Sequence, residues 1–177
     1  MKYIKLFETF DLPEKVFYEV TKHTYIVKYI TYIKDIKFII FFYKKDNNFY
    51  ERVYNSSDSI DFKTFDNLAK LIVSTITYIT NEFIQEYNPN VIEISHISTK
   101  KKDKNGILHS VEDKQDILNK RARINYIYLS QIEPIKKGIY KLAYYPGYYS
   151  TDCFIYKPAF RIFIGHHDDI PIDPTKK

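Results

Sequence analysis

The clearest β-structure signal lies in residues 25–54, which read YIVKYITYIKDIKFIIFFYKKDNNFYERVY. Branched and aromatic side chains such as Ile, Val, Thr, Tyr and Phe favour strands because they fit a pleated, half-buried surface. The cluster Asp46-Asn47-Asn48 interrupts the pattern with residues that are typical of turns. The stretch therefore predicts strands at 25–33, 36–43 and 49–54, the last two joined as an antiparallel hairpin.

Helical periodicity follows in residues 61–87. Apolar side chains recur there every three or four positions and so share one helix face. They are Phe65, Leu68, Ile72, Ile76, Ile79 and Phe83. Asp61 can cap the start of this helix, and the sequence Asn88-Pro89-Asn90 ends it. Residues 91–97 then predict a strand.

A second helix is predicted over residues 110–133. Ser110 opens it as the N-cap, with Asp113 at the reciprocal capping position. Pro134 and Gly138 end it. Its apolar stripe consists of Ile117, Ile124, Tyr128 and Ile132. The preceding residues 99–106, TKKKDKNG, predict a polar loop because they lack large apolar side chains.

The remaining elements are short. Residues 14–20 predict one or two helical turns after Pro13, and the Pro146-Gly147 pair suits the centre of a type II turn. The remaining strands are predicted at 3–10, 139–145, 148–156 and 159–164.

The order of these elements predicts an α+β fold. Strands, helix, strand, helix and strands follow one another without an internal linker or repeat, which indicates a mostly antiparallel sheet packed by two main helices. The predicted single domain covers residues 1–165, and residues 166–177 form a polar C-terminal tail.

Composition indicates an AT-rich genome. Lys, Ile, Tyr and Asn supply 78 of the 177 residues, and 23 Lys accompany only 4 Arg. The net charge of +5 is concentrated in residues 100–123, which hold eight basic and four acidic side chains. A local basic excess suits an anionic partner, although codon bias alone also enriches Lys.

Several classes of protein are excluded by residue counts. One cysteine, Cys153, excludes a disulfide framework and a multi-cysteine zinc site. Four glycines leave little for phosphate-binding loops. No secretory signal or membrane-spanning run is visible, so we expect no membrane partner and a cytoplasmic site of synthesis. We also expect no bound metal and no cofactor.

His96-Ile97-Ser98, at the end of a predicted strand, resembles half of a two-histidine phosphoesterase site. That chemistry needs two such motifs, one histidine as base and the other as acid. The chain contains no second copy. His166-His167 and Cys153 also lack the partners that metal binding or nucleophilic catalysis requires. A strand-end histidine with a local hydrogen bond is therefore the simpler interpretation of His96.

A candidate surface for a partner or nucleic acid is the basic segment and the helix that follows it. Its residues are Lys100, Lys101, Lys102, Lys104, Lys120, Arg121, Arg123 and Tyr126. Lysine and arginine can bind phosphates, and abundant Tyr and Phe can supply stacking surfaces. A solvated Lys-rich loop and ordinary helix packing are the alternative interpretations.

Residues 83–128 carry a resemblance to a known group of proteins. A helix broken at Asn88-Pro89-Asn90, the strand that follows, and a helix bearing Arg123 and Tyr126 at i and i+3 together resemble small uncharacterised α+β proteins of tailed bacteriophages. The resemblance implies an α+β fold and a phage origin, and it implies no activity or catalytic residue.

These observations favour a non-enzymatic bacteriophage protein that acts through protein–protein contacts as a virion or assembly component. Its partners would be other phage proteins, with an oligomer as one form, in the virion or the cytoplasm of the infected host. One alternative is a host-takeover protein that binds nucleic acid through residues 100–123. Another is a phosphoesterase built around His96.

Overall fold

The computed structural model describes residues 12–57, 67–97, 100–102, 108–110, 115–146 and 158–172. Four strands come first: β1 Tyr18–Lys22, β2 Ile26–Ile33, β3 Ile36–Lys44 and β4 Phe49–Ser56. The helix α1, Asn67–Tyr87, and the strand β5, Val91–Ile97, follow. The remaining elements are β6 Lys100–Lys102, β7 Leu108–Ser110, α2 Gln115–Leu129, α3 Glu133–Lys136, β8 Lys141–Pro146 and β9 Pro158–Gly165.

Seven of these strands form one sheet, in the order β1-β2-β3-β4-β5-β9-β8. Its β4–β5 pair is parallel, and its other neighbouring pairs are antiparallel. A parallel pair needs a long crossover connection, and α1 lies within the segment that links β4 to β5. The predicted α+β class is therefore confirmed, as a mixed fold rich in sheet.

Rings of α1 contact rings of the sheet. Phe83 stacks on Phe42 of β3, with 3.8 Å between the ring centroids, and meets Tyr50 of β4 edge-on at 5.0 Å. Phe42 in turn meets Tyr29 of β2 at 5.8 Å. Side chains alternate along a strand, so the buried residues of β2–β4 lie on one side of the sheet and their neighbours on the other. We call the side that contacts α1 the inner face and the opposite side the outer face.

Most strands of the sheet were predicted close to their observed bounds. The strands at 25–33, 36–43, 49–54, 91–97, 139–145 and 159–164 correspond to β2, β3, β4, β5, β8 and β9. The helix predicted at 61–87 is described from Asn67 onward. Asp61, Phe65, Lys104, the strands predicted at 3–10 and 148–156, and the turn residue Gly147 lie outside the described residues.

Residues 14–20 do not form the predicted helical turns. Residues 14–17 are not helical, and 18–20 begin β1 instead. The ring of Tyr18 packs edge-on against Tyr29 with centroids 5.3 Å apart, and its hydroxyl donates to Glu82 of α1 at 3.1 Å. These tertiary contacts are available only to an extended chain, and they override the weak helical signal after Pro13.

The basic segment and the start of the second helix also differ from prediction. Lys100–Lys102 form β6, where a loop was predicted, and pair with β7 in a separate two-stranded sheet. Ser110 pairs with Lys100 in that sheet, so it is a strand residue and not the N-cap of a helix. Main-chain hydrogen bonds between the two strands stabilise a ribbon that the local composition does not indicate.

The second helix is shorter than the predicted 110–133. It is described over Gln115–Leu129, and Pro134 lies in the first turn of α3. Proline is tolerated there because the first N–H groups of a helix have no intrahelical partner. Gly138 follows α3 with a φ of 70°, a left-handed conformation that glycine adopts without strain.

The segment after β9 contacts the sheet. His166 donates its backbone N–H to Asn90 O at 3.1 Å, and the Tyr145 hydroxyl donates to Pro171 O. Gly165 allows this close approach, because a Cβ there would lie 2.7 Å from Asn90 O. Residues 166–172 of the predicted tail thus have specific contacts, while the boundary after residue 165 stays a prediction.

Candidate functional site

The predicted surface residues are distributed over two elements. Lys100, Lys101 and Lys102 lie in β6, opposite Ser110, His109 and Leu108 of β7. The other predicted residues of the described chain belong to α2 and are Lys120, Arg121, Arg123 and Tyr126. The structure thus places the basic residues on a ribbon and on the helix that follows it in sequence.

Arg123 and Tyr126 line a cleft between α2 and β8. The cleft has a volume of about 400 Å³, and its described lining also includes Ala122 and Tyr144. Arg123 and Tyr126 are three residues apart and therefore lie on the same side of the helix. Ala122 is buried and small, which allows close packing of α2, while Tyr126 remains 39% exposed. The cleft therefore brings the two predicted residues together with a second tyrosine ring, that of Tyr144 in the sheet.

Tyr144 is the part of this cleft that sequence reasoning missed. It lies in β8 and pairs with Ile162 of β9, and burial raises the pKa of its hydroxyl. Residues 139–145 were correctly predicted as a strand. The neighbours of this strand in the sheet, and its distance from α2, depend on how distant segments fold together and not on the local sequence. The signal available was a tyrosine in a strand, which is too common in this sequence to single out Tyr144.

The chemistry of the cleft is that of a binding surface. Two tyrosine rings offer apolar area with polar edges, and the exposed Arg123 offers a guanidinium that forks onto carboxylate or phosphate. Arg123 forms no ion pair with any residue in the described ranges. The cleft can therefore receive an apolar or aromatic group that carries an anionic neighbour.

A second cleft lies at one end of the sheet. It has a volume of about 420 Å³, and its described lining is polar apart from Phe49 and Val91, with Lys45, Asp46, Asn47, Asn90 and Asp169 around them. Asparagine amides tie the surrounding turns together, because Asn48 donates to Asn88 O at 2.9 Å and Asn90 donates to Asn47 O at 3.1 Å. These bonds satisfy main-chain carbonyls, so we interpret this cleft as structural.

His96 lies in β5 beside a register irregularity. It pairs with Phe160 of β9, and the pairing shifts between His96 and Ile97. Ser98 and Cys153 lie outside the described residues. His166 stacks on Tyr140 with centroids 4.5 Å apart. His167 lies 3.4 Å from Asp168 on the surface.

Arg52 is an unexpected buried cation on the inner face of β4. Its side chain is 3% exposed, and its Nη1 donates to Thr80 Oγ1 of α1 at 2.9 Å. The Thr80 hydroxyl donates in turn to Ile76 O at 2.7 Å. The buried Nε of Arg52 has no hydrogen-bond partner, and burial lowers the pKa of the guanidinium to about 10.

In comparisons with known proteins, no family model, no curated protein and no solved structure matches this chain. Among the described residues, no helix combines the length and apolar character needed to cross a membrane.

Proposed function

We propose that this protein is a non-enzymatic bacteriophage protein that acts through protein–protein contacts as a component of the virion or of its assembly. The observation that carries the proposal is the cleft between α2 and β8, with Arg123, Tyr126 and Tyr144 in its lining. Tyrosine and arginine are enriched at protein interfaces and among the residues that dominate binding energy. The resemblance of residues 83–128 to phage proteins supplies the biological setting.

The occupant of the cleft would be a side chain of another phage protein or of a second copy in an oligomer. An aromatic or aliphatic anchor fits between the tyrosine rings, and a neighbouring carboxylate fits Arg123. Such contacts combine burial of apolar area with a charge-assisted hydrogen bond. The protein would work in the virion or in the cytoplasm of the infected host.

This proposal includes an architectural element. We propose that α1 and α2 together cover the inner face of the sheet and leave the cleft at their outer margin. Support comes from the shared core, in which Phe83 of α1, Leu129 of α2 and Ile162 of β9 are buried together. Such a layer would hold Arg123 and Tyr126 at a fixed distance from Tyr144.

The proposal is tested by measuring incorporation into particles. Purified particles and soluble fractions of cells infected with the encoding phage are compared by quantitative mass spectrometry, for the unchanged protein and for Tyr126→Ala and Arg123→Ala. We expect the protein in particles, with incorporation reduced about fivefold or more by each change, because interface hot spots cost more than about 1 kcal/mol on truncation.

Tyr25→Ala is the matched control, since Tyr25 is 68% exposed and lies immediately before β2. Its incorporation should equal that of the unchanged protein. Absence of the protein from both particles and assembly intermediates would overturn the proposal. Equal incorporation of all three variants would reject the cleft as the contact.

Nucleic-acid binding through residues 100–123 is the second candidate function, and the β6–β7 ribbon favours it. Two-stranded ribbons are known elements of nucleic-acid recognition, and here three consecutive lysines occupy one strand. Changing Lys100, Lys101, Lys102 and Lys104 to Gln should weaken binding and flatten its salt dependence if the ribbon contacts phosphates. Unchanged binding by this variant would exclude the ribbon.

A further inference from the structure

The outer face of β1–β4 carries an aromatic surface that the proposed function does not use. Its side chains include Ile30, Tyr32, Ile39, Phe41 and Tyr43, and Phe17 lies immediately before β1. Phe17 is 78% exposed and Tyr32 is 64% exposed. Tyr18 pairs with Thr31, and Thr31 Oγ1 donates to Phe17 O at 2.8 Å, so continuing this register places Phe17 beside Tyr32.

Aromatic rings continue onto the next strand. Phe41 and Tyr43 are two residues apart in β3 and stack with centroids 5.6 Å apart at an interplanar angle of 18°. Both rings are half-buried, in contrast to Phe42 between them, which is fully buried on the inner face. The outer face therefore carries aromatic rings on adjacent strands, while Phe42 belongs to the core on the inner face.

Lysines alternate with these rings. Lys28 of β2 pairs with Phe41, and Lys37 of β3 pairs with Tyr32, so each cation lies beside an aromatic residue on the outer face. Lys15 Nζ lies 4.9 Å from the centroid of the Phe17 ring. Neither Lys28 nor Lys37 forms an ion pair with any part of the chain that the structure describes.

Acidic groups on this face offset the lysines only in part. Glu19 of β1, opposite Ile30, is an exposed carboxylate and offsets one of the two lysines. Glu51 of β4 is already paired with Lys45, with 2.9 Å between Oε2 and Nζ. The charge left for a ligand near the exposed rings is therefore positive.

We propose that the outer face of β1–β4 binds single-stranded nucleic acid, with bases stacked on Phe17 and Tyr32 and phosphates contacting Lys28 and Lys37. Ring faces accept any base, and interspersed cations follow a phosphate backbone. A purely apolar protein partner would leave these two lysines without counter-charges. The site goes beyond the proposed function, because the cleft at Arg123 and Tyr126 is built by other elements.

The experiment measures fluorescence anisotropy of labelled oligothymidylate, the corresponding RNA and a duplex DNA of equal length. We expect both single strands to bind and the duplex to bind more weakly, because its bases are not free to stack. Phe17→Ala and Tyr32→Ala should each weaken single-strand binding about fivefold or more, since each stacked base contributes at least about 1 kcal/mol.

Two controls keep the result specific. Tyr25→Ala removes a tyrosine of similar exposure away from this surface and should bind like the unchanged protein. Phe17→Leu keeps apolar area but removes the ring, and it should weaken binding as Phe17→Ala does. Because Phe17 and Tyr32 are exposed, every variant should retain the denaturation midpoint of the unchanged protein.

The lysines are tested through salt dependence. Lys28→Gln combined with Lys37→Gln should reduce the magnitude of the negative slope of log affinity against log salt by about 1.4, or about 0.7 for each phosphate of a single strand that the variant no longer neutralises. Lys136→Gln, an exposed lysine of α3, is the matched control and should leave the slope unchanged.

Several outcomes would overturn the inference. They are absence of single-strand binding by the unchanged protein, equal binding by the Phe17, Tyr32 and Tyr25 variants, and loss of binding only in the four-lysine ribbon variant. Reduced particle incorporation by the Phe17 variant with unchanged oligonucleotide binding would assign the face to a protein partner instead. The Tyr126 variant should bind oligonucleotide normally, which separates this test from that of the cleft.

Discussion

Arg52 places a guanidinium inside an otherwise apolar part of the core, between Phe42 of β3 and Ile94 of β5 in the sheet register. Among the described residues the guanidinium has no ion-pair partner, and a buried cation without one destabilises the folded state because it loses its hydration. Its hydrogen bond to Thr80 compensates for this loss only in part.

We therefore expect Arg52→Met to raise the free energy of unfolding by about 1–3 kcal/mol, the usual penalty of an unsatisfied buried polar group. Thr80 keeps its bond to Ile76 O in this variant. Urea denaturation measures the change, and Arg52→Ala is the comparison, since it also leaves a cavity and should be less stable than Arg52→Met. A Met variant less stable than the unchanged protein would show that Arg52 has a compensating anion.

Three tyrosines have raised pKa values in the folded protein, so we expect it to lose stability at alkaline pH. Burial raises the pKa of Tyr18 and of Tyr140 to about 12, and raises that of Tyr29 further, from an ordinary value of 10.0. The unfolded chain therefore releases these protons first as the pH passes 10. The stability that the neutral phenols contribute is complete below pH 10 and is lost as the pH rises through about 12.

Arg52 should increase stability above pH 10, because its pKa is lowered in the folded state and the buried guanidinium loses its charge first there. The loss of stability from the three tyrosines should exceed this gain. The denaturation midpoint should therefore be lower at about pH 11 than at about pH 9, and Tyr29→Phe should reduce this difference because one ionisation is removed. Tyr25→Phe, at an exposed position, should not change it. A midpoint that is constant over this range would contradict the assigned burial.

Among the elements, α1 is anchored by Phe83. Its ring stacks on Phe42 at 3.8 Å and on Tyr87 at 4.6 Å. Phe83→Ala should lower the free energy of unfolding by about 3–5 kcal/mol, because it removes a buried ring together with its stacking on both neighbours. Phe17→Ala, on an exposed ring, is the matched control and should change it by less than about 0.5 kcal/mol. Equal denaturation midpoints for the two variants would show that α1 does not bury Phe83 in the sheet.

For the whole molecule, Tyr140 joins distant parts of the chain. Its hydroxyl donates a hydrogen bond shared between Pro89 O at 2.7 Å and Asn88 Oδ1 at 3.0 Å, so the segment before β8 is tied to the turn between α1 and β5. Tyr140→Phe should lower the free energy of unfolding by about 1–3 kcal/mol, since a buried acceptor loses its donor. Tyr25→Phe should not change it. Denaturant titrations followed by circular dichroism measure both, and equal midpoints would contradict this role.

The sequence by itself determined which residues form most strands of the large sheet. In β2 and β3 the alternation of apolar side chains is imposed by the two-residue period of an extended chain, so a local pattern carries the information. The same holds for α1, where Ile72, Ile76, Ile79 and Phe83 follow the helical period and are all buried. The prediction of an α+β fold therefore rested on local regularities that the structure retains.

How these elements pack together depends on contacts between segments that are distant in sequence. Two segments are strands because each has a hydrogen-bonded partner strand: Lys100–Lys102 and Tyr18–Lys22. Their local sequence does not predict this pairing. The burial of Arg52 and the placement of Tyr144 and Arg123 in one cleft likewise depend on strand order and helix placement. Local chemistry selects the conformation of a segment, whereas long-range pairing selects its neighbours, and the proposed binding surfaces consist of residues that are distant in sequence.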